Sequence, residues 1–369
     1  MSMQLRGIAG LAVVVGFGMV LISCGGASRP AGVLFVSSQG SSLVDSFGIN
    51  LNTGVVSQIN TGAATGSTPG PMLLDSAGDF AYVLNNGSNN VSQFSVKSNG
   101  TLAPISKTAA GTLPMGLALD PAGKFLLVAN QGSNDISVFS VGSNAALTPV
   151  AGSPFATGTL PTPQAPSTAA PVGITVSSNN FVYVANQGQN SVSAYALNTS
   201  SGVLTPIPGS PFVLSVTAPT AALAMETANS VSVLFIGNQG SNNVSAFLIN
   251  TDGTLTSVSG SPFSAQLGPV AMAVDPTKNF LYVAELNSNQ VSQYRINPGN
   301  GSLSPLSPAA VSTGTSPVAV AVHPNGLYLY TANVGSDTIS AFRITTQSGI
   351  LTPIQSATTS ARPAGLALK

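Results

Sequence analysis

Short stretches in which apolar and polar residues alternate recur along most of the chain. In one example, the apolar run 125–129 ends at Asn130, and after a polar turn the stretch 136–139 alternates. Two more short apolar stretches, 146–150 and 172–176, complete a group of four. Alternation with a period of two residues is typical of β-strands, and runs of roughly four to eight residues are too short for most helices. The pattern therefore predicts an all-β chain built from groups of four short strands.

The segment 125–134, with the sequence FLLVANQGSN, has similar copies along the chain. Its sixth position is occupied by Ser38, Asn85, Asn130, Asn186, Asn238, Glu285 and Asn333. The six intervals between the first and last of these cover 295 residues (333 minus 38), or about 49 residues each. Four-stranded repeats of this length predict a seven-bladed β-propeller over residues 32–369, with no room for a second domain. An unspecified β-sandwich would not explain the regular spacing.

A proline precedes the first strand of every repeat. The seven are Pro69, Pro114, Pro171, Pro219, Pro269, Pro317 and Pro363. Proline has no N–H to donate, so it is tolerated at the first residue of a strand. The repeat phase places a second strand at 34–36 and a first strand at 366–368. We therefore expect the N- and C-terminal strands to pair within one antiparallel blade, because closing the ring removes free sheet edges.

The first 23 residues have the pattern of a secretory signal peptide. Arg6 precedes the uncharged apolar run 7–22, which falls short of the roughly 20 apolar residues that a membrane-spanning helix needs. The run ends at Ser23-Cys24, and Cys24 is the only cysteine in the chain. This ending resembles the lipobox of bacterial lipoproteins. A plain secreted protein with an incidental cysteine is the alternative.

The lipobox resemblance implies where the protein is found. Cys24 would carry the acyl chains that hold the protein on a membrane, and residues 24–31 would be a short tether. Gly25 after the cysteine implies sorting to the outer membrane rather than retention at the inner one. We therefore expect a lipid-anchored protein of the bacterial cell envelope, on the periplasmic side or at the cell surface.

Charged residues make up only 5% of the chain, with ten Lys and Arg against ten Asp and Glu. A nucleic-acid-binding protein needs a basic surface, so that class is excluded. With 43% hydrophobic residues the chain can bury a core, which excludes a disordered protein. A single cysteine and a single histidine provide no disulfide and no zinc ligand set. We expect a monomer without metal or cofactor.

Two motifs point to a known family. Tyr183-Val184-Ala185-Asn186 is close to a Tyr-Val-Thr-Asn repeat, and the motif at 204–212 recurs at 147–155 and 255–263. From residue 32 onward, the chain resembles the seven-bladed lactonase, or 6-phosphogluconolactonase-like, propellers. The resemblance implies the propeller fold and hydrolysis of a sugar or phosphosugar lactone.

The catalytic members of that family carry Gly-Pro-Arg-His at the top of one inner strand. The best match in this chain is Gly268-Pro269-Val270-Ala271, so Val270 and Ala271 stand in place of the Arg and His. Glu285 fits the family's glutamate only with an offset of one residue. The residue after each of the seven prolines is also not ionisable. Opening a lactone needs a positioned acid or base and a donor for the developing oxyanion, and these positions provide neither.

The repeated turn position supplies the candidate ligand-binding residues, which are Asn85, Asn130, Asn186, Asn238, Glu285 and Asn333. Amides can bind a sugar, but Asn and Gly in such turns also satisfy backbone requirements. Glu285 is the single candidate for catalysis, against the alternative of sequence drift at an exposed turn. His323 is expected in a tight turn, at the end of the ring opposite Glu285.

These observations leave three hypotheses for function. The first is an anchored, non-enzymatic propeller that binds a protein or glycan partner through the face with its longest loops, 156–171 and 213–219. The second is a lactonase acting on a sugar or phosphosugar lactone with displaced catalytic residues. The third is a structural subunit of an envelope assembly.

Overall fold

In a computed structural model of the protein, residues 32–158 and 168–369 are described, and they form seven antiparallel sheets arranged in a ring. Each sheet is a blade whose innermost strand contacts the innermost strands of both neighbours. The predicted all-β, seven-bladed propeller is confirmed. The signal peptide, Cys24 and the tether lie outside the described residues.

The blades are numbered from the one that contains both ends of the described chain, with strands given from the channel outward. Blade 1 consists of β31 (Pro363–Leu368), β1 (Gly32–Ser38), β2 (Leu43–Ile49) and β3 (Val56–Ala64). Blade 2 consists of β4 (Pro69–Leu74), β5 (Phe80–Asn85), β6 (Asn90–Val96) and β7 (Leu102–Ala109). Blade 6 consists of β23 (Pro269–Val274), β24 (Phe280–Glu285), β25 (Gln290–Ile296) and β26 (Leu303–Ser312). Blade 7 consists of β27 (Pro317–Val322), β28 (Tyr328–Asn333), β29 (Thr338–Ile344) and β30 (Leu351–Thr358).

In blades 3 to 5 the outer strand is split into two short pieces. Blade 3 consists of β8 (Pro114–Leu119), β9 (Phe125–Asn130), β10 (Asp135–Val141), β11 (Leu147–Pro149) and β12 (Phe155–Ala156). Blade 4 consists of β13 (Pro171–Val176), β14 (Phe181–Asn186), β15 (Ser191–Leu197), β16 (Leu204–Pro206) and β17 (Phe212–Val213). Blade 5 consists of β18 (Pro219–Glu226), β19 (Ser232–Asn238), β20 (Asn243–Ile249), β21 (Leu255–Ser257) and β22 (Phe263–Ser264). Single turns of 3-10 helix lie at Ser143–Ala145 and Gln187–Gln189.

The split in the outer strand coincides with the Gly-Ser-Pro-Phe motif. In blade 3, Gly152 has a positive φ of 83°, and Pro154 has no N–H to give to the ladder. The hydroxyl of Ser153 accepts the hydrogen bond from the backbone N–H of Val138 (2.9 Å) in place of a strand carbonyl. Blades 4 and 5 repeat this contact at Ser210 and Ser261. The motif therefore interrupts the outer strand, so the stretch predicted at 146–150 forms only its first piece, Leu147–Pro149.

The hydrophobic core lies between the blades. The second strand of a blade, such as β9 with the sequence FLLVAN, is buried along its whole length because neighbouring blades cover both of its faces. Leu127 and Val138 of blade 3, for example, pack with Ile174 and Val182 of blade 4. The first residue of every inner strand is the predicted proline. Because the inner strands all start at one end of the ring, the residues next to these prolines surround one mouth of the central channel.

Candidate functional site at the channel mouth

The central channel opens into a cavity of about 650 Å³ at the end where the inner strands begin. The residues after the seven prolines line it, namely Gly70, Met115, Val172, Thr220, Val270, Val318 and Ala364. Thr220 has the one hydroxyl among them, and it donates to the carbonyl of Pro269 (2.7 Å). A concave site of this volume is in the range of small-molecule binding sites.

A second ring of side chains forms the rim of the cavity. Each comes from the residue that follows the second strand of a blade. Five consecutive blades, 1 to 5, contribute the amide arc, which consists of Gln39, Asn86, Gln131, Gln187 and Gln239. Blades 6 and 7 contribute the apolar arc, which consists of Leu286 and Val334. This ring was not predicted from the sequence, although its signal was present: each of its members directly follows the repeated turn position.

The amide arc has free hydrogen-bonding capacity. The side chains of Gln39, Gln131, Gln187 and Gln239 are half-buried and have no protein partner among the described residues. Asn86 is 8% exposed, and its Oδ1 is a buried acceptor without a partner among those residues. Its Nδ2 lies 2.9 Å from the sulfur of Met115, a weak acceptor. Each amide group offers two donors and an acceptor, so the arc can bind a ligand with many hydroxyl groups.

A repeated backbone contact holds the rim in place. The residue before each inner-strand proline has a positive φ, in the order Arg362, Thr68, Leu113, Ala170, Ala218, Gly268 and Ser316 from blade 1 to blade 7. Its carbonyl accepts a hydrogen bond from the N–H of the rim residue of the same blade, as in Gln131 to Leu113 (2.9 Å). The contact is present in all seven blades. The backbone of each rim residue is therefore held by the fold.

The Asn at the tenth and last position of the repeated segment, Asn134 in 125–134, connects neighbouring blades. The side-chain oxygen of Asn134 in blade 3 accepts the N–H of Ala170, the residue before the proline of blade 4 (2.9 Å). The same contact is made by Asn89, Asn190, Asn242 and Asn289, and by the carboxylate of Asp337. The side chains of these turns thus accept hydrogen bonds from the backbone of the adjacent blade.

The inner strands also present backbone groups to the channel. Each of them is the edge strand of its sheet and pairs on one side only. An unpaired strand edge carries N–H and C=O groups that are free to bond to something else. A hydroxylated ligand below the rim can therefore bind backbone donors and acceptors even where the side chains are small and apolar.

The candidate ligand-binding residues at the repeated turn position lie elsewhere than expected. Asn85, Asn130, Asn186, Asn238, Glu285 and Asn333 are all fully buried at the ends of second strands. Asn130, for example, donates from Nδ2 to Asp135 Oδ1 (2.7 Å) and Ser137 Oγ (2.9 Å) of the next strand. Their surroundings in the structure are those of cross-links within a blade, and the rim residues one position further on line the cavity instead.

Glu285 is the last residue of β24 and is completely buried, so the expected exposed turn at this position is wrong. Its Oε1 accepts a hydrogen bond from Ser292 Oγ (2.7 Å), while Oε2 has no partner among the described residues. Burial raises the pKa of this carboxyl to about 7, against the lowering effect of the hydrogen bond from Ser292. The carboxyl group does not line the cavity.

His323 occupies the tight turn that the sequence predicted. Its Nδ1 accepts the N–H of Asn325 (3.2 Å), in the manner of Asp120 and Asp275 in the corresponding turns. Burial lowers its pKa. It directly follows the end of β27, whereas Glu285 pairs with Pro269 at the start of an inner strand. The two side chains therefore lie at opposite ends of the ring, as expected.

Arg362 is the only ionisable side chain among the described residues that line the cavity. Within the described part of the chain, no group of three or more His, Cys, Asp or Glu residues could hold a metal ion. In that same part, no helix is long and apolar enough to cross a membrane. Of the two long loops, 213–219 leads into blade 5 at the mouth end, and residues 159–167 of the other lie outside the described residues.

The fold is that of a seven-bladed β-propeller whose central channel opens into a rimmed cavity. The family model of the seven-bladed β-propeller lactonases matches residues 55–156, 153–259, 211–318 and 305–369, and the chain belongs to this family. No curated protein sequence matches the chain significantly.

Solved structures with the same fold are similar over nearly their whole length. A candidate 6-phosphogluconolactonase from Bacteroides uniformis superimposes with a TM-score of 0.80 at 19% identity, covering 92% of this chain and 99% of the other. A similar candidate from Bacteroides fragilis gives 0.77 at 21% identity, with 92% and 98% covered. The periplasmic gluconolactonase PpgL of Pseudomonas aeruginosa gives 0.75 at 20% identity, with 91% and 98% covered. At these identities the likeness establishes the fold alone.

Proposed function

We propose that this member of the lactonase family binds a small polyhydroxylated molecule, of the sugar or sugar-lactone class, at its channel mouth without hydrolysing it. The observation that carries the proposal is the amide arc, five neighbouring amide side chains around a cavity of about 650 Å³. Amide donors and acceptors that converge on a preformed cavity are typical of sites for neutral hydroxylated ligands. The proposal keeps the non-enzymatic binding role expected from the sequence, but its ligand is a small molecule at the channel mouth instead of a protein or glycan partner on the long loops.

Lactone hydrolysis is the second candidate function, and family membership favours it. Hydrolysis requires a base to activate water and a donor for the oxyanion. The guanidinium group of Arg362 has donors but no acceptor, and the buried carboxyl of Glu285 does not line the cavity. The side chains described at the mouth therefore support binding better than catalysis.

Calorimetry with freshly dissolved glucono-lactone, paired with a pH-stat assay of its hydrolysis, tests the proposal. We expect saturable binding by the wild type and a hydrolysis rate equal to that of the lactone alone. Gln131→Ala should weaken binding about five-fold by removing one amide contact, whereas Gln355→Ala, an exposed glutamine on β30, should have no effect. Accelerated hydrolysis that is lost in Glu285→Gln would instead establish the lactonase activity.

We also propose that the protein is anchored to the bacterial envelope by acyl chains on Cys24. The lipobox-like ending at Ser23-Cys24 supports this. In a bacterial host, Cys24→Ser should move the protein from the membrane pellet to the soluble fraction, and Ser23→Ala, which keeps a small residue before the cysteine, should not. A Cys24→Ser variant that is processed and still sediments with membranes would contradict the anchor.

A further inference from the structure

Among the seven residues that precede the inner-strand prolines, one is charged. The residue before the inner-strand proline is Thr68, Leu113, Ala170, Ala218, Gly268 or Ser316 in blades 2 to 7, and Arg362 in blade 1. Arg362 is thus a single cation in a ring of otherwise uncharged equivalents. Its backbone is fixed on both sides, because its N–H donates to Asp337 Oδ1 (2.6 Å) and its carbonyl accepts the N–H of Gln39 (2.8 Å).

The guanidinium group of Arg362 is available to a ligand. The side chain is exposed and lines the cavity, and it has no ion pair or hydrogen bond among the described residues. It stands between Val334 of the apolar arc and Gln39, the first member of the amide arc. A ligand whose anionic group meets Arg362 can therefore extend along the amide arc, which begins at Gln39.

The carboxylate of Asp337 lies close to Arg362 and favours a ligand with a single negative charge. Asp337 is exposed and holds the backbone of Arg362 with its carboxylate, at the position where five other blades have Asn. It partly offsets the positive charge of Arg362. The remaining attraction grows in proportion to the charge of the ligand, whereas the cost of desolvating an anion grows with the square of its charge, so a weak net field favours a monoanion. A guanidinium group pairs well with a single carboxylate, whose two oxygens match its planar donors.

We propose that the channel mouth recognises an open-chain polyhydroxy carboxylate, the ring-opened acid of a sugar lactone, with its carboxylate on Arg362 and its hydroxyls on the amide arc. This inference rests on the proposed function and specifies its ligand. The described lining of the cavity has no aromatic side chain on which a sugar ring could stack, which also favours an extended ligand bound by hydrogen bonds. The protein would then bind the product of a lactone-opening reaction carried out elsewhere.

Calorimetry at fixed ionic strength tests this with three probes. Gluconate has the hydroxyls and the carboxylate, glucitol has the hydroxyls without the charge, and glucitol 6-phosphate carries a dianion. We expect wild-type protein to bind gluconate about ten-fold more tightly than either of the other two, the effect of one charge-assisted contact. Arg362→Ser should remove the preference over glucitol, and Asp337→Asn should tighten gluconate binding about three-fold.

Both substitutions have a native counterpart, which protects the test against misfolding. Serine already occupies the equivalent of Arg362 at Ser316, with a φ of 55° against 59°. Asn already makes the contact of Asp337 in blades 2 to 6. The exchange variant Arg362→Ser/Ser316→Arg keeps the net charge, and it should still lose the preference for gluconate if the position of the cation matters.

The outcomes test the carboxylate assignment and the proposed binding function separately. If wild-type protein binds gluconate and glucitol equally, or if Arg362→Ser keeps the preference, the carboxylate assignment is wrong while polyol binding at the mouth stands. Tighter binding of glucitol 6-phosphate than of gluconate would mean that the ligand of the site is a dianion and not a carboxylate. If none of the probes nor glucono-lactone binds, the proposed function itself is overturned.

Discussion

At the scale of single residues, one position in each blade decides how the second strand ends. Five blades place a buried Asn there, and its amide can donate and accept at once, as Asn85 does. Glu285 replaces it in blade 6, and a carboxylate can only accept. The consequence is a buried carboxyl group whose pKa is raised by burial. This position therefore couples the stability of the fold to pH.

We predict that Glu285 makes the protein less stable as the pH rises. The native pKa of about 7 lies above the ordinary 4.5, so between these values the native state binds more protons than the unfolded state. Stability then falls with rising pH through this window, by about 3 kcal/mol in total. Urea unfolding at pH 5 and pH 8 measures the change.

The matched control is Glu285→Asn, which restores the residue of the other blades. This variant should lose the pH-dependent component and should be more stable than the wild type at pH 8. His323 has a lowered pKa and contributes a change of opposite sign at acid pH, so the difference between wild type and variant isolates Glu285. Equal pH dependence in both proteins would contradict the prediction.

At the scale of secondary-structure elements, the turn between the third and fourth strands of one blade packs on the second strand of the blade before it. Gly349 in blade 7 has a φ of 75°, and a Cβ built on it would lie 2.2 Å from the ring of Phe280 in blade 6. Its carbonyl accepts a hydrogen bond from the hydroxyl of Tyr282 (2.7 Å). Gly253 and Gly54 make the same kind of contact with the blades before them. Glycine is therefore required for close approach as well as for backbone angle.

We predict that Gly349→Ala destabilises the protein by about 3 kcal/mol, of which roughly 1 kcal/mol is the cost of a positive φ and the rest is the clash with Phe280. Gly123→Ala separates these effects, because Gly123 has a φ of 67° and nothing within 4 Å of its Cβ position. This control should cost only about 1 kcal/mol. Chemical denaturation of the two variants measures the difference, and equal losses would rule out the packing role.

At the scale of the whole molecule, the ring is closed by seven residues. β31 pairs with β1 from Leu34↔Leu368 to Ser38↔Pro363, so the last strand of the chain is the innermost strand of the first blade. The connecting loop is fastened by Asp45, whose carboxylate accepts from both the N–H and the hydroxyl of Ser360 (2.9 Å each). The closure joins segments more than 300 residues apart, and the expected pairing of the two ends in one blade is confirmed.

We predict that deleting residues 363–369 opens the ring. The deletion removes an inner strand, exposes an edge of β1 and leaves a gap between β27 and β4. Unpaired edges bind other chains, so the truncated protein should form oligomers or lose its cooperative thermal transition. Light scattering coupled to size-exclusion chromatography, with a thermal melt, provides the measurement. A monomeric truncated protein with the melting temperature of the full chain would contradict the role of this strand.

Much of the architecture follows from the sequence alone. Strand number, blade number and ring closure can be read from alternation, from the interval of about 49 residues and from the phase of the two ends, because each depends on a local pattern that repeats. The turn at His323 and the uncharged residues after the prolines were predictable for the same reason. Conversely, the split outer strands of blades 3 to 5 depend on how a Ser hydroxyl reaches the neighbouring strand, and alternation does not record that.

The site depended on the tertiary structure. Successive residues in a strand point in different directions, so whether Asn130 or Gln131 faces the channel depends on how the blade is set against the axis. Only the closed ring brings side chains about 49 residues apart into one rim, and only it places Arg362 beside Gln39, which is 323 residues away in sequence. The sequence determined which residues repeat, because repetition is local. The structure decided which of them meet, because that depends on the closure of the ring.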